Sequence, residues 1–375
     1  MLIDTTLREG AQLFGNYMTA ADKLEIVRRL VEIGIEEVEI GWVGQKGLRS
    51  LVKKVQHMTG ISQLSLWCPC RVRDIFAASG LGIKRINIGV PVSDQHLRCR
   101  LKMTRKELYS RVEIVCQTAF TCGFTQISLG LEDFSRADRH CALELSKFAV
   151  ERGVSRIRLS DTLGLLTPTQ MGKHVQLFSE TLDAEIGVHC HNDFGMATAN
   201  TITALQSGAS WGDVSVLGIG ERSGIASLEE VAAYRALCTS EDIYELKNIR
   251  TLSKQVAEHA QIPIPRTKPV VGQDIFATES GLHVHAALCD PTMFEPYDPK
   301  ITASTRTLGI GAKSGLGAIR EATKHLGITL SPAILHIILD KVHMASRNAG
   351  RPLETSEFHA VVKKMAQKNP AHADS

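Results

Sequence analysis

The stretch RKELYSRVEIVCQTAFTCGFTQISLG, residues 105–130, joins a helix-like segment directly to a strand-like segment. Residues 105–123 carry apolar side chains at helical spacing and end at Gly123, a residue type that often stops helices. TQISLG (125–130) is a short apolar run of the length of a buried strand. A helix that leads into a buried strand is the repeating unit of parallel α/β proteins, so this stretch predicts one such unit.

The same alternation extends over about 240 residues on both sides of this stretch. Eight strand-like runs are separated by helical patterns, of which ADKLEIVRRLVEIG is one. The runs are LIDTT (2–6), EEVEIG (36–41), LSLWC (64–68), RINIGV (85–90), TQISLG (125–130), RIRLSD (156–161), EIGVHC (185–190) and DVSVLG (213–218). Eight repeats predict a (β/α)₈ TIM barrel. A doubly wound sheet is the alternative, but no early glycine-rich dinucleotide fingerprint supports it.

The repeat stops after about residue 240, where the proline-containing stretch QIPIPRTKPVVG (261–272) reads as an extended linker. Helical patterns follow at 314–326, 331–348 and 354–367. We therefore predict a barrel over residues 1–255, a linker and first C-terminal subdomain over 256–325, and a helical subdomain over 326–375.

Composition and charge are those of an ordinary globular protein. Hydrophobic residues make up 43% of the 375 positions, charged residues 22%, and the net charge is only +3 with both signs interspersed. This balance argues against nucleic-acid binding. No run is apolar enough for a membrane span, and no secretory signal is visible. Nine scattered cysteines without a disulfide framework indicate a reducing compartment, so we expect a cytoplasmic protein.

Polar residues cluster at the predicted strand ends, where a barrel of this kind has its active site. Charged side chains and side chains able to bind a metal recur there, and in a barrel they would converge on the opening at the carboxyl ends of the strands. They are Asp4, Arg8, Glu9, Glu39, Glu132, Asp133, Asp161, Thr162, His189, His191, Asn192, Asp193, Glu221 and Arg222.

The two histidines of GVHCHND (187–193) are the strongest metal candidates. Residues two apart on a strand point to the same face, so His189 and His191 can present two imidazoles to one ion. A carboxylate from another strand, Glu9 or Asp4, would complete a facial triad with open positions for substrate. The alternative is a pair of hydrogen-bonded histidines at a strand end.

Two further motifs stand out. LGIGERSGIAS (217–227) is a glycine-rich turn that either lies against a ligand or is a plain loop after the eighth strand. TESGLHVHAAL (278–288) lies outside the barrel and contains a second pair, His283 and His285. Residue chemistry alone assigns no role to this second pair.

Five motifs together resemble the homocitrate, isopropylmalate and citramalate synthase family. They are DTTLREGAQ (4–12), SDTLGLLTP (160–168), GVHCHNDFGMATANTITALQSGA (187–209), GIGERSGIASLEE (218–230) and SGLHVHAAL (280–288). The resemblance implies a barrel with C-terminal subdomains, a homodimer, and a divalent metal (Mg²⁺, Mn²⁺, Zn²⁺ or Fe²⁺). It also implies a condensation of acetyl-CoA with an α-keto acid.

The resemblance also implies roles for individual residues. Glu9, His189 and His191 match the metal ligands, and Arg8 matches an arginine that stabilises charge on the keto oxygen. Glu132 matches a catalytic glutamate, and His283 matches a histidine that acts in the partner subunit's site. Substrate-binding positions are Arg8, Gln12, Glu39, Ser128 and Thr162. Phe294 stands where many relatives have a tyrosine, and Trp42 where many have a smaller residue.

The length, Glu9 and Ile225 resemble those of homocitrate synthases, and this resemblance implies 2-oxoglutarate as the keto acid and homocitrate as the product. The segment ISLGLEDFSRAD (127–138) resembles the nitrogen-fixation type of homocitrate synthase. Oxaloacetate, a phosphono-keto acid, pyruvate and 2-oxoisovalerate are alternatives within the same chemistry. A metal-dependent aldolase or lyase of the same barrel superfamily, and an inactive relative that only binds ligands, are alternatives of other classes.

Overall fold

The computed structural model describes residues 1–59, 64–239 and 243–368. Two compact units divide the chain, Met1–Ile264 and Pro265–Ser375. The boundary predicted at residue 255 falls inside a helix, Ile249–Ala260, which belongs to the first unit. The further division predicted at residue 325 stays a prediction.

The first unit is a closed barrel of eight parallel strands in sequential order, which confirms the predicted fold class. The strands are β1 (Leu2–Asp4), β2 (Glu37–Trp42), β3 (Leu64–Pro69), β4 (Arg85–Pro91), β5 (Gln126–Glu132), β6 (Arg156–Asp161), β7 (Glu185–Cys190) and β8 (Trp211–Val214). Leu2 of β1 pairs with Gly212 of β8 and closes the barrel.

Helices connect the strands of the barrel. They are α1 (Ala20–Ile33), α2 (Leu48–Thr59), α3 (Val72–Ser79), α4 (Asp94–His96, continued by a π-helical turn over Leu97–Leu101), α5 (Arg105–Thr121), α6 (Arg139–Val150), α7 (Pro168–Thr181), α8 (Ala197–Gln206), α9 (Leu228–Cys238) and α10 (Ile249–Ala260). Single 3₁₀ turns occupy Gly10–Gln12, Phe134–Arg136, Val216–Gly218 and Leu246–Asn248.

The helix and strand of residues 105–130 form as predicted, for local reasons. Thr104 and Glu107 form a capping box at the start of α5, which satisfies backbone N–H groups that the first turn leaves free. Gly123 then adopts a φ of +83°, a conformation that costs a residue with a side chain free energy, and turns the chain into β5. β8 differs from its prediction because it ends at Val214. Leu217 and Gly218 both adopt positive φ and break the extended run.

Charged residues fill two levels of the barrel interior. At the lower level Arg156 and Arg85 donate to Glu37 at 3.1 and 3.0 Å. At the upper level, two residues further along β6, Arg158 donates to Glu39 at 2.8 Å and to Asp213 at 2.5 Å. The alternate positions on these strands are apolar and form the layer between strands and helices, as in Val38, Ile40, Ile157 and Leu159, each at most 1% exposed.

The second unit is built mainly from helices. Its elements are β9 (Ala277–Thr278), α11 (Gly281–Cys289), β10 (Thr307–Leu308), α12 (Leu316–His325), α13 (Pro332–Ala349) and α14 (Thr355–Lys368), with 3₁₀ turns at Pro291–Met293 and Pro299–Thr302. Its core packs around Ile338, Val342 and Val362, which are fully buried. The helices α12, α13 and α14 lie where the sequence predicts them.

Within the described residues, no helix is both long and apolar enough to cross a lipid bilayer. No disulfide joins the eight cysteines whose side chains are described.

Candidate metal centre and substrate cavity

A cavity of about 360 Å³ opens at the carboxyl ends of the barrel strands. Seven of the residues with a predicted role line it, and they come from four strand ends and the loops that follow them, those of β1, β5, β6 and β7. These seven are Arg8, Glu9, Gln12, Glu132, Thr162, His189 and His191. Ser128 and Glu39 are not on its lining and lie buried behind it, 5% and 0% exposed.

Glu9, His189 and His191 converge on one point of this cavity. One oxygen of Glu9 and one nitrogen of each histidine lie within 4.8 Å of one another. The Nε2 atoms of His189 and His191 are 3.3 Å apart, and the His189 Nε2 is 3.8 Å from Glu9 Oε2. The prediction that the two histidines share one face is therefore confirmed.

A buried aspartate orients His189. The Nδ1 of His189 lies 2.8 Å from the Asp213 carboxylate at the end of β8. With Nδ1 as the hydrogen-bond donor, Nε2 keeps a free lone pair directed at Glu9 and His191. Burial and the nearby Arg8 hold the pKa of His189 well below its usual value, and burial also lowers the pKa of His191. Both rings are therefore neutral at physiological pH, as metal ligation requires.

Glu9 is held in its ionised form. Its carboxylate accepts hydrogen bonds from Arg8, from Gln12 Nε2 at 3.1 Å and from the backbone N–H of Glu221 at 3.0 Å. Burial opposes ionisation, but Arg8, the two histidines and the backbone N–H of Glu221 together outweigh it, and the pKa of Glu9 falls to about 2.

The glycine-rich turn after β8 lies against this carboxylate. A Cβ on Gly220 would come within 3.0 Å of Glu9 Cγ, and a Cβ on Gly224 within 1.8 Å of the Gly218 carbonyl oxygen. Only glycine permits both approaches, so the turn serves the site and is not a plain connection.

The donor set fits a divalent cation. Two neutral imidazoles and one carboxylate, fixed by Asp213 and Arg8, form the ligand pattern of sites that keep open positions for substrate. His191 Nδ1 is buried without a hydrogen-bond partner among the described residues, so hydrogen bonding within the chain does not account for this ring. Asp4, the alternative acidic ligand, is excluded from the group because its two oxygens accept from Thr6 N and Thr6 Oγ1, both at 2.9 Å.

Glu39 anchors the arginines beneath the cavity. Its carboxylate accepts from Arg8 Nε at 2.6 Å, Arg158 Nη2 at 2.8 Å and Asn87 Nδ2 at 2.8 Å. These donors occupy both of its oxygens, and its side chain is fully buried. The contacts therefore make Glu39 an orienting group for Arg8, and its predicted direct binding to substrate stays a prediction.

Glu132 lies on the opposite wall of the cavity at the end of β5. Its Oε2 accepts from Arg100 Nη1 at 2.9 Å, and Gly89 leaves room for it, since a Cβ there would meet Glu132 Oε1 at 2.5 Å. Thr162 lines the same cavity, and its Oγ1 accepts from the backbone N–H of Asp133 at 2.8 Å. The roles of these residues in catalysis stay predictions.

Several lining residues were not predicted as part of the site. Arg158, Asn87, Arg100 and Trp67 all face the cavity, and Asp213 lies directly behind His189. The sequence does carry a signal for the charged interior of the barrel. Glu37 and Glu39 alternate with apolar residues on β2, and Arg156 and Arg158 do so on β6, so opposite charges face each other inside the barrel.

The predicted histidine of the second unit lies on α11. His283 is exposed, and its ring centroid is 4.3 Å from that of Phe294, in an edge-to-face arrangement. Phe294 is 52% exposed. Phe294, for which the sequence resemblance predicts a tyrosine in many relatives, is thus in direct contact with His283. The side chain of His285 lies outside the described residues.

The chain is similar in sequence to known proteins along most of its length. The profile of the HMGL-like family matches residues 1–256, and the homocitrate synthase post-HMGL domain-like profile matches residues 270–349. The chain is 38% identical to a homocitrate synthase of Frankia alni over 86% of this chain and 93% of that protein. It is 32% identical to 2-isopropylmalate synthase 2 of Caldanaerobacter subterraneus over 99% of this chain and 97% of that one.

Solved structures share the fold at lower identity. An HMG-CoA lyase from Bacillus subtilis superposes with a TM-score of 0.62 at 22% identity, over 71% of this chain and 95% of that chain. At that identity the likeness concerns the barrel alone.

Proposed function

This chain belongs to the HMGL-like family, in its group of homocitrate and 2-isopropylmalate synthases, and we propose from that membership that it condenses acetyl-CoA with 2-oxoglutarate. The group consists of acyltransferases that join acetyl-CoA to a keto acid, so the reaction class follows from membership. The choice of 2-oxoglutarate, which gives homocitrate and CoA, is the finer proposal. The observation that carries the reaction class is the Glu9–His189–His191 group, set beside Arg8 in one cavity.

A divalent ion held by Glu9, His189 and His191 would supply Lewis acidity toward the carboxylate and carbonyl oxygens of the keto acid. Arg8 lies beside this point and is fixed there by Glu9 and Glu39. Its guanidinium is therefore preorganised to stabilise negative charge that grows on the keto oxygen during attack. The neutral histidines contribute no competing positive charge of their own.

The acetyl methyl group must lose a proton before it can attack the ketone, so a positioned base is required. We assign this role to Glu132, which faces the cavity and is oriented by Arg100 at 2.9 Å. Gly89 and Gly130 line the wall beside it and leave space for a thioester. His283 is proposed to act as a general acid or base in the partner subunit's site of a homodimer.

The cavity wall favours a keto acid with a second carboxylate. Arg8 and Arg158 each pair with two buried carboxylates. Arg100 pairs with one carboxylate, that of Glu132, its side chain is 56% exposed, and His96 is its neighbour on the lining. These two groups can receive the distal carboxylate of 2-oxoglutarate. Ser128, which lies buried behind the wall, offers a hydroxyl and no charge.

A specific observation favours a second candidate, 2-oxoisovalerate. Trp42 and Trp67 are paired in the register of β2 and β3, and both line the cavity. Indole rings suit a branched apolar side chain better than a carboxylate. Relatives that match along most of this chain are synthases, which favours condensation over cleavage by a lyase.

Thiol release tests the proposal. Purified protein with Mn²⁺ or Mg²⁺ is assayed for CoA release from acetyl-CoA with 2-oxoglutarate, oxaloacetate, a phosphono-keto acid, pyruvate and 2-oxoisovalerate. We expect the highest kcat/KM with 2-oxoglutarate and no release without a keto acid. Arg100→Gln should raise KM for 2-oxoglutarate by about 10-fold, the effect of a lost charge-assisted bond, and change KM for 2-oxoisovalerate little. A higher kcat/KM with 2-oxoisovalerate would show that the proposed substrate is wrong. Absence of CoA release with every keto acid would contradict the proposed reaction.

A further inference from the structure

A second depression lies on the rim of the barrel, outside the cavity of the metal centre. It has a volume of about 650 Å³ and is formed by the start of α3, the chain that leads to it from β3, and the first half of α5. Both segments follow the carboxyl ends of their strands, so this depression, the α3–α5 groove, opens on the same side of the barrel as the catalytic cavity.

The groove and the catalytic cavity share the same two loops. After β3, Trp67 lines the cavity and Cys70 lines the groove, and the backbone N–H of Cys70 donates to the Gly89 carbonyl on the cavity wall at 3.1 Å. After β4, Arg100 lines the cavity and Met103 lines the groove. One ligand can therefore extend from one into the other along these loops.

The charge of the groove is strongly positive. Four basic residues line it, Arg71, Arg73, Lys106 and Arg111, against the single carboxylate of Glu107. Glu107 is already bound by the Thr104 backbone N–H and hydroxyl, at 2.7 and 2.8 Å. Arg71 pairs with Asp74 beside the groove at 2.8 Å, but no ion pair within the described residues engages Lys106 or Arg111.

The floor between these cations is apolar. Val72, Met103, Ile114 and Val115 contribute to it, and Ile114 is 54% exposed although it is a large aliphatic residue. A flat apolar ring can rest on such a floor while phosphates contact the rim. The combination suits an aromatic base that carries several phosphate groups.

We propose that the α3–α5 groove binds the 3′-phosphoadenosine diphosphate end of coenzyme A. In this arrangement the adenine covers the aliphatic floor, and the 3′-phosphate and the diphosphate contact Lys106, Arg111, Arg71 and Arg73. The pantetheine arm then follows the β3 and β4 loops past Arg100 and delivers the acetyl thioester to Glu132. This inference rests on the proposed function for the thioester end, whereas the nucleotide end rests on the charge and shape of the groove.

Equilibrium binding tests the groove without any turnover. Isothermal titration measures the Kd of adenosine 3′,5′-bisphosphate and of CoA for the wild-type protein and for Lys106→Glu, Arg111→Glu and the double variant. We expect Kd to rise at least about 10-fold for each single variant, since each loses a charge-assisted phosphate contact. Lys53→Glu, an equal charge change at an exposed position of α2, is the control and should leave both Kd values unchanged.

A comparison of cosubstrates locates the 3′-phosphate. Wild-type protein should bind CoA more tightly than 3′-dephospho-CoA, and the Lys106→Glu, Arg111→Glu double variant should bind the two equally. Equal Kd values in all variants and the wild type would overturn the proposal. So would tight binding of ATP or of an acidic peptide with no preference for CoA, because the groove would then serve a different anion.

Kinetics separate this proposal from the proposed function. If the condensation is correct, the groove variants raise KM for acetyl-CoA and leave KM for the keto acid unchanged. If no keto acid supports turnover but the CoA titrations behave as expected, the proposed function fails and the groove assignment stands. If turnover occurs and the variants match the wild type in KM for acetyl-CoA, the groove assignment fails and the function stands.

Discussion

At the scale of single residues, the geometry of the site depends on Asp213, a side chain behind the candidate metal ligands. Asp213 lies behind His189, and its Oδ2 accepts both from Arg158 at 2.5 Å and from the histidine ring at 2.8 Å. It thereby couples the charged interior of the barrel to the orientation of a candidate metal ligand. Burial raises the pKa of Asp213 to about 6, so it remains mostly ionised at neutral pH.

We predict that Asp213→Asn weakens divalent metal binding by about 10–100-fold, because His189 loses the carboxylate that fixes its tautomer and its basicity. Titration of Mn²⁺ into metal-free protein, followed by calorimetry, measures the change. Asp183→Asn, at an exposed position two residues after α7, serves as the control and should bind Mn²⁺ like the wild type. An unchanged Mn²⁺ affinity in Asp213→Asn would contradict the assigned role.

Asp4 gives a pH dependence with a definite sign. Burial raises its pKa from the ordinary 3.8 to about 7, despite the hydrogen bonds from Thr6. The folded state thus keeps a proton that the unfolded chain releases, and the stability from this group is present below about pH 4 and is lost as the pH rises to about 7.

Asp4→Asn should therefore gain stability relative to the wild type between pH 4 and 7, by up to about 4 kcal/mol, and hold that difference above pH 7. Urea unfolding of both proteins at intervals from pH 4 to 8 measures the difference in unfolding free energy. A difference that is flat across this range would show that the carboxyl is ionised in the folded state.

At the scale of elements, β2 and β6 alternate between apolar residues that face the helices and charged residues that face the barrel interior. The opposite charges pair level by level, Glu37 with Arg156 and Glu39 with Arg158. Loss of one partner of a buried pair leaves an uncompensated charge, which is strongly destabilising. The two levels differ in function because only the upper one also contacts Arg8 and Asp213.

Arg156→Met and Arg158→Met form a matched pair of variants, two residues apart on one strand. Each should lower the unfolding free energy by about 3–5 kcal/mol. Only Arg158→Met should also lower Mn²⁺ affinity, because it frees Asp213 from its cation and changes the support of His189. Equal Mn²⁺ affinity in the two variants at a temperature where both are folded would contradict this division.

At the scale of the whole molecule, the chain joins a barrel that holds the candidate metal ligands to a helical unit that holds His283. The barrel supplies the proposed base Glu132, and the second unit supplies the proposed acid or base His283. Our proposal that His283 acts in the partner's site makes the complete catalytic set a property of a homodimer.

Mixing two inactive variants tests this arrangement. Glu132→Gln and His283→Ala should each be slow alone, by about 10²–10⁴-fold. After joint unfolding and refolding, mixed dimers contain one intact site if His283 acts in trans, and activity should recover to roughly one quarter of the wild type. Absence of recovery in a mixture shown to contain heterodimers would place His283 in the site of its own chain.

The local sequence was sufficient to predict the barrel, because the signals for helices and strands depend on residues only a few positions apart. Helix caps such as Thr104, stops such as Gly123 and apolar runs of strand length act over a few residues, so the number and order of strands could be predicted. The pair His189 and His191 could be assigned to one face because side chains alternate along any strand. Glu9 and Asp4, by contrast, could not be separated from the sequence alone.

Only the tertiary structure decided what the strand ends do together. Closure of the barrel brings Asp213 of β8 behind His189 of β7, and it sets Glu9 against the glycine turn at Gly220. In the closed barrel, Asp4 accepts from Thr6. Glu39 accepts from three side chains, Arg8, Arg158 and Asn87, in place of a ligand. Some of these contacts join residues more than twenty positions apart, and others distinguish Glu9 from Asp4 as the acidic ligand. A pattern along the chain cannot predict either kind of contact. The sequence by itself determined which chemical groups reach the mouth of the barrel, and three-dimensional packing decided which of them bind, which orient and which only support.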